Sequence, residues 1–497
     1  MEPYSLPAGL ALPATIVGLC CVLALATIWC LGNPQRAFLL VIFSTPFIYN
    51  PTRDRLLMRV GLPEVVFVFF FFVWIWSLAF RRRPFRPLRM VHLFALLFLL
   101  VAAVSFVGAD PEGFSHGVIE VLILGYLVIF CLIADQFMSG DDEIKRVLDV
   151  WMLAAALVAI IGLYECVAVI LHLPRLNRYR DEYRVIATFR RPPQLGVYAL
   201  SSFFVAVAYS MVPDLPARKR LALRILAAAM VVLIVFSSRR SALASLAVGM
   251  FLILVLHAGE LRRAVVLGGL FALAVFGAHQ LISSEPTLRE FFTNRLRVLY
   301  NPGEEGVPFI KANFDDAVAA FHERPLLGIG YGHFAGSDYS STGNEIHSTP
   351  LRVLAECGTI GALVYLAMTC TFLYLAWRNV RLARGTIWVG FAQVIFPGMV
   401  ALQVSYLYNR ALRDRTYWLL IALTVALHSM LAARRREALA GEAEPAAEWD
   451  EGAGGGGEAD GAGEGAGAGD GGADGSGADS GSGASGGERG DAGRAGT

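Results

Sequence analysis

Charge is sparse in this sequence. Asp, Glu, Lys and Arg make up 17% of the 497 residues, against 56% hydrophobic and 11% aromatic. A chain this long and this apolar is excluded from the soluble enzymes. Cysteine contributes no chemistry. All seven (Cys20, Cys21, Cys30, Cys131, Cys166, Cys357, Cys370) fall in apolar segments. None has metal-site spacing or sits in a loop where a disulfide would help, so they read as small packing residues. The opening MEPYSLPAG lacks the basic stretch of a cleaved signal, so the first apolar run is expected to stay as a helix. No set of His, Asp and Glu has convincing metal spacing, and no Ser/His/Asp arrangement stands out among the many helical hydroxyls. From Gly441 to Thr497 large apolar residues are almost missing, and 22 of the 50 glycines lie there. Such a segment cannot bury enough surface to offset its ordering entropy and is expected to be a disordered tail.

That tail also distorts the net charge of +1. It holds 13 acidic residues and 2 arginines, a balance of −11 that leaves +12 on residues 1–440. What fills those 440 residues is a series of apolar blocks long enough to cross a bilayer. Spanning helices are expected near 8–32, 60–80, 88–107, 117–137, 148–171, 194–212, 221–238, 241–257, 264–282, 350–377, 386–404 and 415–432. The fold class is therefore an all-α polytopic membrane protein of about twelve transmembrane helices. The domain division is 1–440, with an outer loop at 283–349, and the tail at 441–497. The shorter run 36–49, interrupted by Pro46, reads as a re-entrant or interfacial piece, or a thirteenth span.

Basic clusters at 81–89, 217–220, 261–263, 378–384 and 434–436 alternate so as to share one side, which is the cytoplasmic one. Arg53, Arg55 and Arg59, several arginines between Arg175 and Arg191, and Arg410, Arg413 and Arg415 then fall on the opposite side. Arginines held there against the rule call for a local cause, and an anionic ligand is the evident one. Length fixes one boundary. Residues 221–257 are nearly continuous apolar sequence that as one helix would reach about 55 Å, against a hydrocarbon core of about 30 Å. The chain must turn at SSRRS (237–241), which puts Arg239 and Arg240 on a tight hairpin at the outer surface.

On that surface the topology also gathers Arg190, Arg191, His347 and Arg352. Guanidinium groups bind phosphate bidentately, and more strongly when partly removed from water. Thr349 reads as an N-cap and Pro350 as the first helical residue, which sets His347 at the positive end of a helix dipole. That position favours a neutral imidazole able to accept a proton. In RPLLGIGYGHF (324–334), Gly328, Gly330 and Gly332 alternate, so the backbone beside Tyr331 can turn tightly or approach a ligand. No strand or helix pattern makes it a dinucleotide fingerprint. Before it, 311–324 places Phe314, Ala317, Val318 and Phe321 on one face of an amphipathic helix. Glu120 and Glu165 fall inside spans, and Glu356 lies a turn or two after His347. Intramembrane carboxylates are costly and point to function or to ion pairing.

FSSRRSALASLAVG (236–249), RPLLGIGYGHF and IHSTPLRVLAECGTIG (346–361) occur in this order in the O-antigen ligase and polymerase superfamily, which the chain resembles. ATFRRPPQLGVYAL (187–200) is similar to that family's extramembrane segment before a helix. The resemblance covers roughly 185–375 by motif and the whole span layout. It implies a multi-pass protein of the bacterial inner membrane. Such a protein transfers a glycan from an undecaprenyl-pyrophosphate carrier, at the periplasmic face, to a hydroxyl of lipid A core, another glycan or a protein. By position Arg240 matches the family's arginine after the serine and His347 its loop histidine. The family usually has His-Asn where this chain has His347-Ser348, and Arg239 adds a second charge. His347 and Arg240 are thus the expected catalytic residues. Arg239, Arg190, Arg191, Arg352, Glu356, Gly330 and Tyr331 are the expected substrate-binding ones. No metal or cofactor is expected, because the carrier diphosphate is already activated. Membrane lipids are expected partners and nucleic acid is not. A transporter or flippase of lipid-linked saccharides shares the layout and stays open as the alternative.

Overall fold

The computed structural model describes residues 29–48, 61–81, 86–106, 114–171, 173–174, 176, 185–237, 239–256, 307–341, 343 and 345–443. Among these the regular structure is helical, without a strand. In chain order the helices are α1 Pro34–Ser44, α2 Leu62–Arg81, α3 Met90–Val104, α4 Phe114–Gln136, α5 Asp141–Ile170 and α6 Pro192–Ser210. They continue with α7 Ala217–Phe236, α8 Arg240–Leu256, α9 Val307–Glu323, α10 Thr349–Leu382, α11 Val389–Tyr406 and α12 Arg415–Ala443. One compact unit runs from Met1 to Leu439 and a second begins at Ala440.

Ten of the twelve expected spans coincide with described helices. The span 264–282, most of 8–32 and the tail beyond Ala443 lie outside the described residues. Among the described residues, six helices are long and apolar enough to cross a membrane: α2, α4, α5, α10, α11 and α12. The count of twelve is therefore not established. Helix α3 has 15 residues and α8 has 17. Helix α7 opens on Arg218, Lys219, Arg220 and Arg224. The run 36–49 forms α1, of 11 residues, whose Ala37, Phe38, Val41 and Ile42 are buried. At 1.5 Å per residue it spans about half a bilayer. Pro34 starts it and Asn33 caps it, its side chain accepting from the Gln35 N–H at 3.0 Å.

Two helices are enclosed on all sides. In α6 every residue from Leu195 to Ala206 is buried, and in α12 every residue from Thr416 to Leu427. A helix apolar around its whole circumference belongs inside a bundle, and both sequences are of that kind. Helix α6 packs against α7 and α11, and α8 against α11. Where α8 and α11 meet α6, Gly249 and Gly398 lie against Phe204, so small residues admit a large ring between helices.

The 237–241 turn falls where the length argument places it: α7 ends at Phe236 and α8 starts at Arg240. The opposite end of the bundle gathers the ion pairs Lys145–Asp214, Lys219–Asp149 and Arg434–Asp141, with Asp141 also accepting from the Trp388 indole at 2.8 Å. The basic clusters at 217–220 and 434–436 thus share one end.

Helix α10 is broken. Gly358 has φ 64° and ψ −165° inside it, a backbone conformation open to glycine almost alone. The break strands backbone groups in the apolar interior, where they must find partners. The glycine loop supplies them. The Ile329 and Gly330 N–H groups donate to the carbonyls of Ala355 and Glu356 at 3.1 and 3.0 Å. In return Thr359 N–H donates to Pro325 O at 2.8 Å and Ile360 N–H to Leu326 O at 3.3 Å. GIGYG and ECGTIG are thus two halves of one element. A Cβ on Gly358 would lie 2.4 Å from the Leu326 carbonyl carbon, and one on Gly328 would lie 2.4 Å from that of Glu356. Gly358→Ala is expected to lower the melting temperature in detergent by several degrees, against little change for Gly32→Ala, where the backbone is helical and a Cβ meets open space.

Helix α9 is amphipathic but turned from expectation. Asn313, Ala317 and Ala320 are its buried face, while Phe314 is exposed. The small alanines let α9 lie close to α10, which Phe314 would prevent.

Candidate functional site

Four segments converge at the end of the bundle opposite the basic clusters. The first is 185–191. Its Ala187 has φ 47°, a strained value for a residue with a Cβ. Buried Glu165 holds the strain, Oε2 accepting from the N–H groups of Ile186 at 3.2 Å and Ala187 at 3.0 Å. Thr188 donates its hydroxyl to Pro46 O at 2.7 Å and accepts at its carbonyl from Ile48 N–H at 3.1 Å. Arg190 donates through Nε to Ile48 O at 3.1 Å. The segment after α1 and the carboxylate of α5 thereby aim Arg190 and Arg191. Arg191 is also the N-cap position of α6, with Pro192 following.

The second segment is the hairpin at 237–241. A Cβ on Gly196, in the second turn of α6, would lie 2.9 Å from Ser237 Oγ and 3.6 Å from Arg239 Cβ. Arg239 therefore sits beside the start of α6. Arg240 opens α8, and its side chain lies outside the described residues. Arg53, Arg55, Arg59 and the arginines from Arg175 to Arg184 lie outside them as well.

The third and fourth segments are 345–349 and 405–414, and Thr349 joins them. It was expected to cap α10, but the cap position is Ser348, which makes no side-chain cap bond. The Thr349 hydroxyl instead donates to Asn409 O at 2.5 Å and accepts from Ala411 N–H at 2.8 Å. Asn409 in turn donates to Ser241 Oγ at 3.0 Å, tying the 405–414 loop to the first turn of α8. His347 is exposed. Partial burial, and then the positive fields of Arg239 and Arg191, hold its imidazole below the ordinary histidine value. His347, Arg239 and Arg191, from three separate segments, thus share one electrostatic neighbourhood. Arg410 and Arg413 belong to it too. Burial first, and then repulsion from Arg413 and Arg191, bring Arg410 down to about 10. Arg190 is lowered by burial and then by Arg413 and Arg191. Cations that raise one another's cost in this way make a region of strongly positive potential.

Four of the expected substrate-binding residues sit elsewhere. Arg352 is 2% exposed and Tyr331 0%. Arg352 Nε is 2.8 Å from Glu356 Oε2, its Nη2 is 3.4 Å from Glu120 Oε2, and its guanidinium carbon lies 4.9 Å from the centre of the Tyr331 ring. Glu356 Oε2 also accepts from Gly332 N–H at 2.8 Å, and Tyr331 N–H donates to Ser105 Oγ at 2.9 Å. Gly330 is spent on the α10 break. Arg352, Glu356, Gly330 and Tyr331 therefore face one another beneath the site and not its opening. The reason is the break itself, which turns the first two turns of α10 onto the glycine loop.

Sequence reasoning left Arg410, Arg413, Glu120 and Glu345 out of the site. Arg413 Nη2 is 2.9 Å from Glu120 Oε1, and Arg410 pairs with Glu345. For the arginines a signal existed, since both break the charge rule for outer loops. For Glu345 the only signal was its place two residues before His347. Arg415, the first residue of α12, pairs with Glu64 at the start of α2.

No curated protein matches the chain. Residues 225–366, from within α7 through the broken part of α10, match the O-antigen ligase family model. Over that segment the chain is similar to the O-antigen ligase family.

Proposed function

We propose that this site transfers a glycan from an undecaprenyl-pyrophosphate carrier to an acceptor hydroxyl on the periplasmic side of the bacterial inner membrane. The observation that supports it most is the convergence of Arg191, Arg239 and His347, brought from three elements to one end of the bundle. His347 accepts the proton of the acceptor hydroxyl as general base. The acceptor oxygen forms a bond to the anomeric carbon from the face opposite the diphosphate. The bond between that carbon and the phosphate oxygen breaks with its electron pair on oxygen, and the anomeric centre inverts. Arg240 and Arg239, with Arg190 and Arg191, hold the diphosphate and stabilise the charge it gains. Undecaprenyl diphosphate leaves, and the exposed imidazole returns its proton to water. Arg352, Glu356, Gly330 and Tyr331 support the site from below and do not touch substrate. The acceptor is lipid A core, a growing glycan or a protein, which makes the chain a ligase, a polymerase or a protein-glycosylating transferase.

Purified protein in detergent, given carrier-linked glycan and an acceptor, is expected to form product without any membrane compartment. Movement of the lipid-linked saccharide across vesicles, with no product in detergent, would establish the transporter reading instead. The pH profile offers a second check. A neutral imidazole is the working form, so the rate falls as pH drops through the His347 pKa, which lies below the usual value. Arg191→Gln removes one of the charges that depress it. The acid limb of the rate at saturating donor should then move to higher pH, toward about 6.5. An unmoved limb with a reduced rate would remove His347 as the titrating base.

A further inference from the structure

Arg410 and Arg413 are both met by a carboxylate of the same chain. Glu345 pairs with Arg410, and its Oε2 is 3.9 Å from Arg413 Nη1. The other terminal nitrogen of Arg413 is 2.9 Å from Glu120 Oε1, and the Glu120 side chain is fully buried. One edge of this guanidinium therefore rests on an anchor inside the bundle, and the other faces a carboxylate that is about a fifth exposed at 21%. The loop carrying both arginines is fixed by the Thr349 and Asn409 bonds, so it presents them at a set distance from the hairpin and from His347.

Glu345 has the opposite character. Ile346, the next residue, is 1% exposed and packs with Phe334 and Ala355. The backbone is thus pinned at 346, with Glu345 on one side of the pin and His347 on the other. Rotation of the Glu345 side chain alone would uncover the edges of Arg410 and Arg413 that face it without moving the loop. A diphosphate brings more negative charge and more acceptor oxygens than one carboxylate, and guanidinium groups take phosphate in bidentate fashion. A monoanion gains much less by displacing Glu345.

We propose that Arg410 and Arg413 are ligands of the donor diphosphate and that Glu345 is an exchangeable internal anion which selects a polyanion for that position. The assignment rests on the glycan-transfer reading above and adds two binding residues and a specificity residue to it. Glu345 sets a threshold: weak anions do not overcome it, whereas the diphosphate of the carrier does. On donor binding the carboxylate is released beside His347, so binding at the arginines and the state of the base loop change together.

Inorganic pyrophosphate and inorganic phosphate, titrated calorimetrically into the full-length protein in detergent, separate the possibilities. Glu345→Gln keeps the size of the side chain and removes its charge. It is expected to tighten pyrophosphate binding by about tenfold, as loss of one close charge competitor should. Phosphate binding should gain more than that, so the preference for pyrophosphate narrows. Glu345→Asp, with a shorter reach to both arginines, should tighten pyrophosphate binding by less than Gln does, and it serves alone if the Gln variant fails to fold. Arg413→Gln should abolish the gain when combined with Glu345→Gln. Unchanged or weaker pyrophosphate binding in a Glu345 variant that melts like the parent protein would overturn the proposal. Failure of the underlying reading looks different. The parent protein would bind no pyrophosphate, or Arg191→Gln and Arg239→Gln would leave its binding untouched, and either result removes both readings.

Discussion

Replacing His347 by alanine is expected to reduce glycan transfer by about 10²–10⁴-fold, the range for loss of a positioned general base. Melting temperature and membrane insertion should not change. The ring is exposed on a loop, and the neighbouring Ile346 carries the packing that holds that loop. Single-turnover assays with carrier-linked glycan and an acceptor measure the step directly. Added imidazole should restore part of the rate if the lost function is proton acceptance. A variant that transfers glycan at a near-parental rate would end the general-base role. The chemistry places the effect on the turnover step, because the diphosphate ligands remain. Donor affinity, read as pyrophosphate binding, should stay within about twofold of the parent protein's.

The second large effect concerns stability. Arg352→Ala removes a guanidinium that is 2% exposed and in contact with both Glu120 and Glu356. Leaving a buried carboxylate without its cation costs about 3–5 kcal/mol. Two carboxylates are affected here, but Glu120 retains Arg413 at 2.9 Å, so the loss falls mainly on Glu356. The double variant Arg352→Met, Glu356→Gln should therefore recover much of the stability that Arg352→Ala loses. Thermal unfolding in detergent reads both. If Arg352→Ala melts like the parent protein while donor affinity collapses, Arg352 reaches substrate and the supporting role assigned to it is wrong.

These two residues lie five positions apart in sequence and have opposite fates. Nothing in their local pattern separates them, since each is a basic side chain near the start of one apolar helix. The difference comes from Gly358. Because α10 breaks there, the glycine loop closes over the Arg352 face, while His347 stays outside the helix and open to water. Glu165 shows the same limit. Its place inside a span marked it as an unusual carboxylate, yet its partner is the strained turn at Ala187, about twenty residues ahead in the chain. The glycines of GIGYG were legible as a tight backbone element, but the partner of that backbone was not. The carbonyls it serves become available only when a helix more than twenty residues later is interrupted.

The sequence by itself determined the apolar helical class, most helix positions, the hairpin at 237–241, and the segregation of basic clusters to one end. These follow from properties summed along the chain: hydrophobic length against bilayer thickness, and charge at helix ends. Tertiary structure alone decided which cations share a neighbourhood, which carboxylates neutralise them, and that Arg352, Glu356, Gly330 and Tyr331 face inward. Those are contacts between segments far apart in the chain, 232 residues in the case of Arg352 and Glu120. Their energies depend on distance and burial in three dimensions, which no periodicity along one helix encodes.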